Sequence, residues 1–302
     1  MNEVRAVTLA AAISLAVIAG IHGAGTTTGD FLLADISARE ASLGGIYSPG
    51  FARVTAATAN PAALYGVDAP QFYFSHFTSV FATNFEQVIY AQQSAKGEWL
   101  SFFGMYAGNA DLYRTDSQGV PIESIENYDV LLGGAYAREI TGDMAAGVNV
   151  KLTASRMYKS SVYGAAANIG VLHRNFEKRY IVGASLENIG MTSEYKKEKS
   201  LFPVLFRAGY GIHVFKSDTD RVTLFVEEKI FLVEYEGSET SVGVEATYND
   251  FFSGRAGYIF GRDEGRIAIG AGAVYGNVRV DYCYQPFFSA DNAHRITLGL
   301  RF

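Results

Sequence analysis

The chain reads as an all-β protein, an antiparallel transmembrane β-barrel of about 14 strands carrying an N-terminal plug. Three observations predict it. From Gln71 onward, side chains alternate with period two in segments about 9 to 14 residues long, near what a tilted strand needs to cross a bilayer and longer than most soluble strands. Every second connection between these segments is tight, and the connections between tend to be longer. Glycine (32), tyrosine (19) and phenylalanine (21) are abundant against a single tryptophan, a composition that suits strands, turns and aromatic girdles better than a helical bundle.

Residues 1–24 have the pattern of a secretory signal peptide. Arg5 supplies the basic start, an apolar stretch runs from Ala6 to Ile21, and Gly23 and Ala24 are small enough for a cleavage site. The other reading is an uncleaved anchor, but the stretch is short of the roughly 20 apolar residues a spanning helix needs. No later window reaches 18 uninterrupted apolar residues, so helical membrane spans are not expected. An exported chain this apolar and aromatic belongs in the bacterial outer membrane.

Residues 25–70 are rich in Ala, Gly and Thr and weakly periodic. The run from Asp35 to Gly45 can hold a short helix ended by glycine. A second helix can start at Asn60, with Pro61 in its first turn followed by Ala62. A stretch of small side chains ahead of a barrel predicts a hatch folded into the lumen. A periplasmic extension is the alternative.

The barrel occupies residues 71–302. Its strands are expected near 71–77, 85–93, 98–107, 129–139, 143–155, 161–173, 179–188, 204–215, 221–230, 240–249, 251–260, 265–275, 277–285 and 293–302. In the fifth, Met144, Ala146, Val148, Val150 and Leu152 fall on one face and Ala145, Gly147, Asn149, Lys151 and Thr153 on the other. In the last, Ile296, Leu298, Leu300 and Phe302 oppose Arg295, Thr297, Gly299 and Arg301. That strand is expected to close the ring against 71–77, with Phe302 as the terminal barrel signal. Tight turns at 94–97, 140–142, 175–178, 216–220, 249–250 and 276–277 alternate with longer loops at 108–128, 189–203, 231–239 and 286–292. Short turns on one rim and long loops on the other are an outer-membrane pattern.

The same alternation turns Lys151, Glu187, Glu227, Glu245, Arg255, Arg279, Asp281, Arg295 and Arg301 inward. Charges of both signs facing a lumen suit a network that satisfies them and anchors the hatch, or else a polar path for solute. Phe72, Tyr73, Phe74, Phe77, Phe81 and Phe85 are read as girdle residues, and Phe287 and Phe288, after Pro286, as a hydrophobic mouth.

Catalysis is not expected. His76, His173, His213 and His294 stand in no recognisable nucleophile or metalloprotease motif. No cofactor or metal is expected, and the lone Cys283 excludes a multi-cysteine zinc site. A net charge of -6, with one short basic run at Tyr195–Lys199, argues against nucleic acid. The expected partners are outer-membrane lipid and the barrel assembly machinery.

The stretch Phe31–Gly45, followed by Ala59–Leu64, resembles the opening of the PorV/PorQ family of outer-membrane proteins. The likeness continues in order through Leu186–Gly190, Arg255–Tyr258, Asp263–Gly265, Asp281–Tyr282 and His294–Gly299. It departs at Phe51–Thr58, which lacks the acidic pair and the tryptophan common in that family. The resemblance implies a barrel of the FadL type, with Asn60, Pro61 and Ala62 in the hatch. It implies passive uptake of a hydrophobic small molecule, such as a long-chain fatty acid. Its alternative implication is a carrier of secreted cargo proteins in a type IX-like pathway; a structural surface antigen is a third reading of the barrel.

Overall fold

The computed structural model describes residues 29–79, 83–109, 113–175, 177, 179–193, 200–233, 237–289 and 291–302. The expected signal peptide, Phe81 and the basic run at 195–199 lie outside the described residues. The strands in chain order are β1 (Gln71–Thr78), β2 (Thr83–Ala95), β3 (Glu98–Asn109), β4 (Tyr113–Thr115), β5 (Pro121–Ser124), β6 (Asn127–Thr141), β7 (Met144–Met157), β8 (Ser160–Asn175), β9 (Tyr180–Thr192), β10 (Leu205–Lys216), β11 (Arg221–Phe231), β12 (Ser238–Tyr248), β13 (Phe252–Phe260), β14 (Ile267–Tyr275), β15 (Val278–Gln285) and β16 (Ala293–Arg301). All but β4 and β5 form one closed antiparallel barrel of 14 strands. The ring is sealed by β1 and β16, from Gln71 opposite Arg301 to Thr78 opposite His294, the seam the alternation predicts.

Each barrel strand matches a predicted segment to within a few residues. The loop after β3 differs: it contains the small β4–β5 hairpin, too short to show a periodic signal. The β7–β8 connection also differs, being only a two-residue turn on the long-loop rim, with Tyr158 at φ 56°. On the opposite rim Asn249 and Asp250 take consecutive left-handed conformations, φ 52° and 49°. This primed-turn geometry matches the twist of a tight hairpin.

The outward face is apolar. Phe102, Leu132, Val150, Leu152, Ile169, Val171, Leu224, Ile267, Leu298 and Leu300 are all exposed. Aromatics edge the belt on both sides: Tyr106, Tyr163 and Phe260 toward the long loops, Tyr248, Phe252 and Tyr275 toward the short turns. So extensive an exposed apolar surface is foreign to a soluble monomer and suits lipid.

The chain from Gly29 to Pro70 runs through the bore. It forms a 3-10 turn (Asp30–Leu33), a short helix α1 (Ala38–Ser42), and two further 3-10 turns (Thr55–Thr58 and Pro61–Leu64). The first helical expectation lands on α1. The second lands on the last turn, which is 3-10 rather than α and is capped by Asn60, whose side chain accepts from the Ala62 N–H.

Candidate functional site

The inner wall is cut to seat this segment. Three cross-strand glycine pairs, Gly243–Gly257, Gly183–Gly209 and Gly147–Gly170, stand opposite its backbone. A Cβ on Gly257 would lie 2.3 Å from the Gly44 N, one on Gly183 1.8 Å from the Ser48 O, and one on Gly147 2.8 Å from the Pro61 carbonyl carbon. Each pair is a notch that only glycine leaves open.

Polar side chains then fix each seat. Glu245 accepts from Arg39 Nε and Nη2 at 3.0 and 2.8 Å, and from Arg255 Nε at 2.7 Å. Arg255 continues to Asp281 at 2.8 Å, which has Arg279 at 3.8 Å. Glu227 accepts from the backbone N–H groups of Tyr47 and Ser48 at 3.1 and 2.6 Å. Arg207 bridges Glu187 (2.9 Å) and Glu227 (3.0 Å) and donates to the Gly45 carbonyl (2.9 Å). Arg295 Nε donates to the Asp35 carbonyl at 2.5 Å. Lys151 reaches Asn188 Oδ1 at 3.0 Å. Asn60 donates to the carbonyls of Ser48 (2.8 Å) and Val171 (3.2 Å), and Pro61 and Ala62 lie buried beside it. Arg301 pairs with Asp68 at the short-turn rim.

Several residues of equal weight are not among the charged positions expected to hold the hatch. Asn149 and Asn168 donate to the carbonyls of Ala57, Thr58 and Ala59, and Arg207 and Arg39 link wall to segment. Strand alternation alone places Asn149, Asn168 and Arg207 inward. Arg39, in a weakly periodic stretch, offered no such signal.

The bore is two-sided. Charge concentrates on β9–β16, whereas β2, β3 and β6 turn Phe85, Ile89, Trp99, Phe103, Met105, Leu131 and Ala135 inward, packed with Phe31, Ile36, Val54 and Leu64 of the segment. The sequence obscures this because β3 is apolar on both faces. It also corrects the aromatic reading. Tyr73, Phe77 and Phe85 are not girdle residues, because period two splits the run and turns them into the bore. There Phe77 and Phe85 stack at 5.2 Å, and Arg295 sits 3.9 Å over the Phe77 ring. Phe72 and Phe74 alternate with them on the outward face. At the expected mouth Phe288 is 93% exposed, while Phe287 packs against the core beside Gly265.

Cavities lie on both sides of the segment. On the long-loop side one of about 50 Å³ is walled by Phe31, Leu32, Ile36, Phe103, Met105 and Leu131, with Asp35, Glu187, Lys151 and Arg207 balancing in charge. On the short-turn side is a larger one of about 290 Å³, around Arg53 and Lys216.

No protein-family model matches the chain, and no curated protein is similar to it. Solved structures are similar in fold. The Pseudomonas putida toluene transporter TodX is 11% identical, with 88% of this chain and 98% of that chain covered and a TM-score of 0.60. The CymD monoaromatic hydrocarbon channel is 10% identical, with 88% and 97% covered and a TM-score of 0.61. A Pseudomonas aeruginosa FadL homologue is 9% identical, with 88% and 98% covered and a TM-score of 0.57. The chain shares their closed 14-stranded barrel.

Proposed function

We propose that this protein is an outer-membrane channel for the passive uptake of small hydrophobic molecules, with residues 29–70 as its hatch. The observation that carries this is the apolar half of the bore. Phe85, Ile89, Phe103, Met105 and Leu131 face inward on adjacent strands and run to the cavity on the long-loop side. Part of that wall packs against Phe31, Ile36, Val54 and Leu64 of the segment, and Phe103, Met105 and Leu131 border the cavity. A water-filled pore would line its bore with polar groups throughout. The fold shared with a monoaromatic hydrocarbon channel and a toluene transporter supports the same reading. A long-chain fatty acid is the larger solute to try after a monoaromatic one.

Purified protein in liposomes tests it. A radiolabelled monoaromatic hydrocarbon is expected to equilibrate at least several-fold faster than in protein-free vesicles, with no acceleration for a sugar of similar mass. Equal hydrocarbon rates with and without protein would end the proposal. Equal acceleration of the sugar would replace it with a general diffusion pore.

A further inference from the structure

The short-turn side of the bore holds a second feature. The cavity of about 290 Å³ between the segment and strands β9–β12 adjoins another of about 110 Å³, and they share Phe51, Ile181, His213 and Lys216. Six cationic side chains border the two, Arg39, Arg53, Arg174, Arg179, Lys216 and Arg221, against one carboxylate, Glu245. That carboxylate is already committed to Arg39 and Arg255. Arg221 has Asp250 at 2.7 Å, and the Arg174 guanidinium carbon lies 3.5 Å from the centre of the Phe51 ring. Arg53 is different. Its backbone N–H is tied to the Ala63 carbonyl at 3.0 Å, which holds the residue in the bore. Its one salt-bridge contact among the described residues is Glu245 at 4.0 Å, through the oxygen that Arg39 holds at 2.8 Å. Lys216 stands exposed at the rim with no carboxylate within salt-bridge distance among the described residues. The remaining walls are mostly apolar, Pro49, Phe51, Ala52, Ile181 and Phe225, with His213 and Thr223 hydrogen-bonded to each other at 2.8 Å.

Cations held in an enclosure without matching anions attract an anion. The apolar walls add a second requirement, since a bare inorganic anion leaves them wet. The volume sits at the lower edge of small-molecule pockets. We propose that this vestibule binds a small apolar acid, its carboxylate held between Arg53 and Lys216 and its apolar body against Phe51, Ile181 and Phe225. It rests on the uptake reading only for the direction of travel: a permeant that has passed the hatch would pause here before release. The cavity on the long-loop side is charge-balanced, so it offers no such preference, and the site is distinct from it.

Equilibrium binding in lipid nanodiscs tests the proposal, with empty nanodiscs subtracted. The probes are naphthalene-2-carboxylate, its neutral counterpart 2-methylnaphthalene, and inorganic phosphate. The acid is expected to bind at least tenfold more tightly than the neutral compound, more weakly as salt rises, and without competition from equimolar phosphate. Arg53→Gln and Lys216→Glu should each weaken the acid at least tenfold. Lys216 is at the rim, so its variant leaves the ion pairs of the bore in place. Equal affinity for acid and neutral compound, unchanged affinity in both variants, or displacement of the acid by equimolar phosphate would overturn the site. Hydrocarbon uptake measured on the same preparations separates the two proposals. Uptake with no acid binding leaves the channel standing and removes the vestibule, and acid binding with no uptake does the reverse.

Discussion

Glu245 shows at the scale of one residue how the segment is held. It is buried, and three hydrogen bonds from two guanidinium groups converge on it. Removing one partner of such a pair strands buried charge and costs on the order of 3–5 kcal/mol. Glu245→Gln should therefore loosen α1, read as faster hydrogen exchange of the amides from Ser37 to Ser48, with the barrel's heat-modifiable gel mobility unchanged. Protection equal to the wild type would show that the ion pairs are dispensable. The glycine notches make a second prediction with a built-in control. Gly183→Ala places a methyl 1.8 Å from the Ser48 carbonyl oxygen, whereas Gly254→Ala meets nothing within 4 Å. The first should raise exchange around Ser48 and the second should not; equal effects would mean that the notches do not seat the segment. Alternation made Glu245 legible as an inward carboxylate, but its partner Arg39 was not. One strand gives a side chain's direction, while its partner depends on register across the ring and on a segment of no regular period.

At the scale of elements the wall has a seam beside β9. The β9–β10 ladder joins Tyr180–Glu187 to Leu205–Ile212, and β9 then continues to Thr192 without a β10 partner. Asn188 marks the break at φ 60°, its N–H bonded to Asn168 and its side-chain amide to the Pro203 carbonyl. Residues 200–203 run along this gap as a strap, bridged to β9 at Met191–Leu201 and anchored by Phe202, 1% exposed, in space that Gly164 and Gly29 leave free. Truncating a buried phenylalanine costs about 3–5 kcal/mol. Phe202→Ala should then speed exchange of the Thr192 amide, which donates to the Ser200 carbonyl, while the β14–β15 ladder stays protected. No change at Thr192 would mean that the strap is held by its backbone alone. Strand positions were readable because period two survives in most barrel strands, whatever the neighbours do. The seam was not, since the expected strand near 179–188 stopped at the bulge and the strap lies in a stretch without alternation. The β4–β5 hairpin escaped for the same reason.

At the scale of the molecule, two structures of different cohesion share one chain. The barrel is a closed ladder in which every strand pairs on both sides. The segment inside has one five-residue α-helix and three 3-10 turns of four residues each, elements far too short to stand alone. Its order depends on side chains of the wall: carboxylates, asparagine amides and glycine notches. It stands between the cavity of about 50 Å³ and that of about 290 Å³, so passage through the bore requires it to shift. Regions held by few regular backbone bonds open first. In hydrogen exchange under rising urea, residues 29–70 should therefore open as one block at a lower free energy than strands β6–β8. Single molecules in a planar bilayer should show reversible large-conductance openings over the same urea range. The polar wall makes that opening reversible, because Glu227, Glu245 and Asn149 left behind are hydrated rather than collapsed and remain able to recapture the same backbone groups. Exchange of 29–70 only together with the strands, and conductance that never rises before the barrel is lost, would mark the segment as a fixed core, and the route through the bore would have to be abandoned.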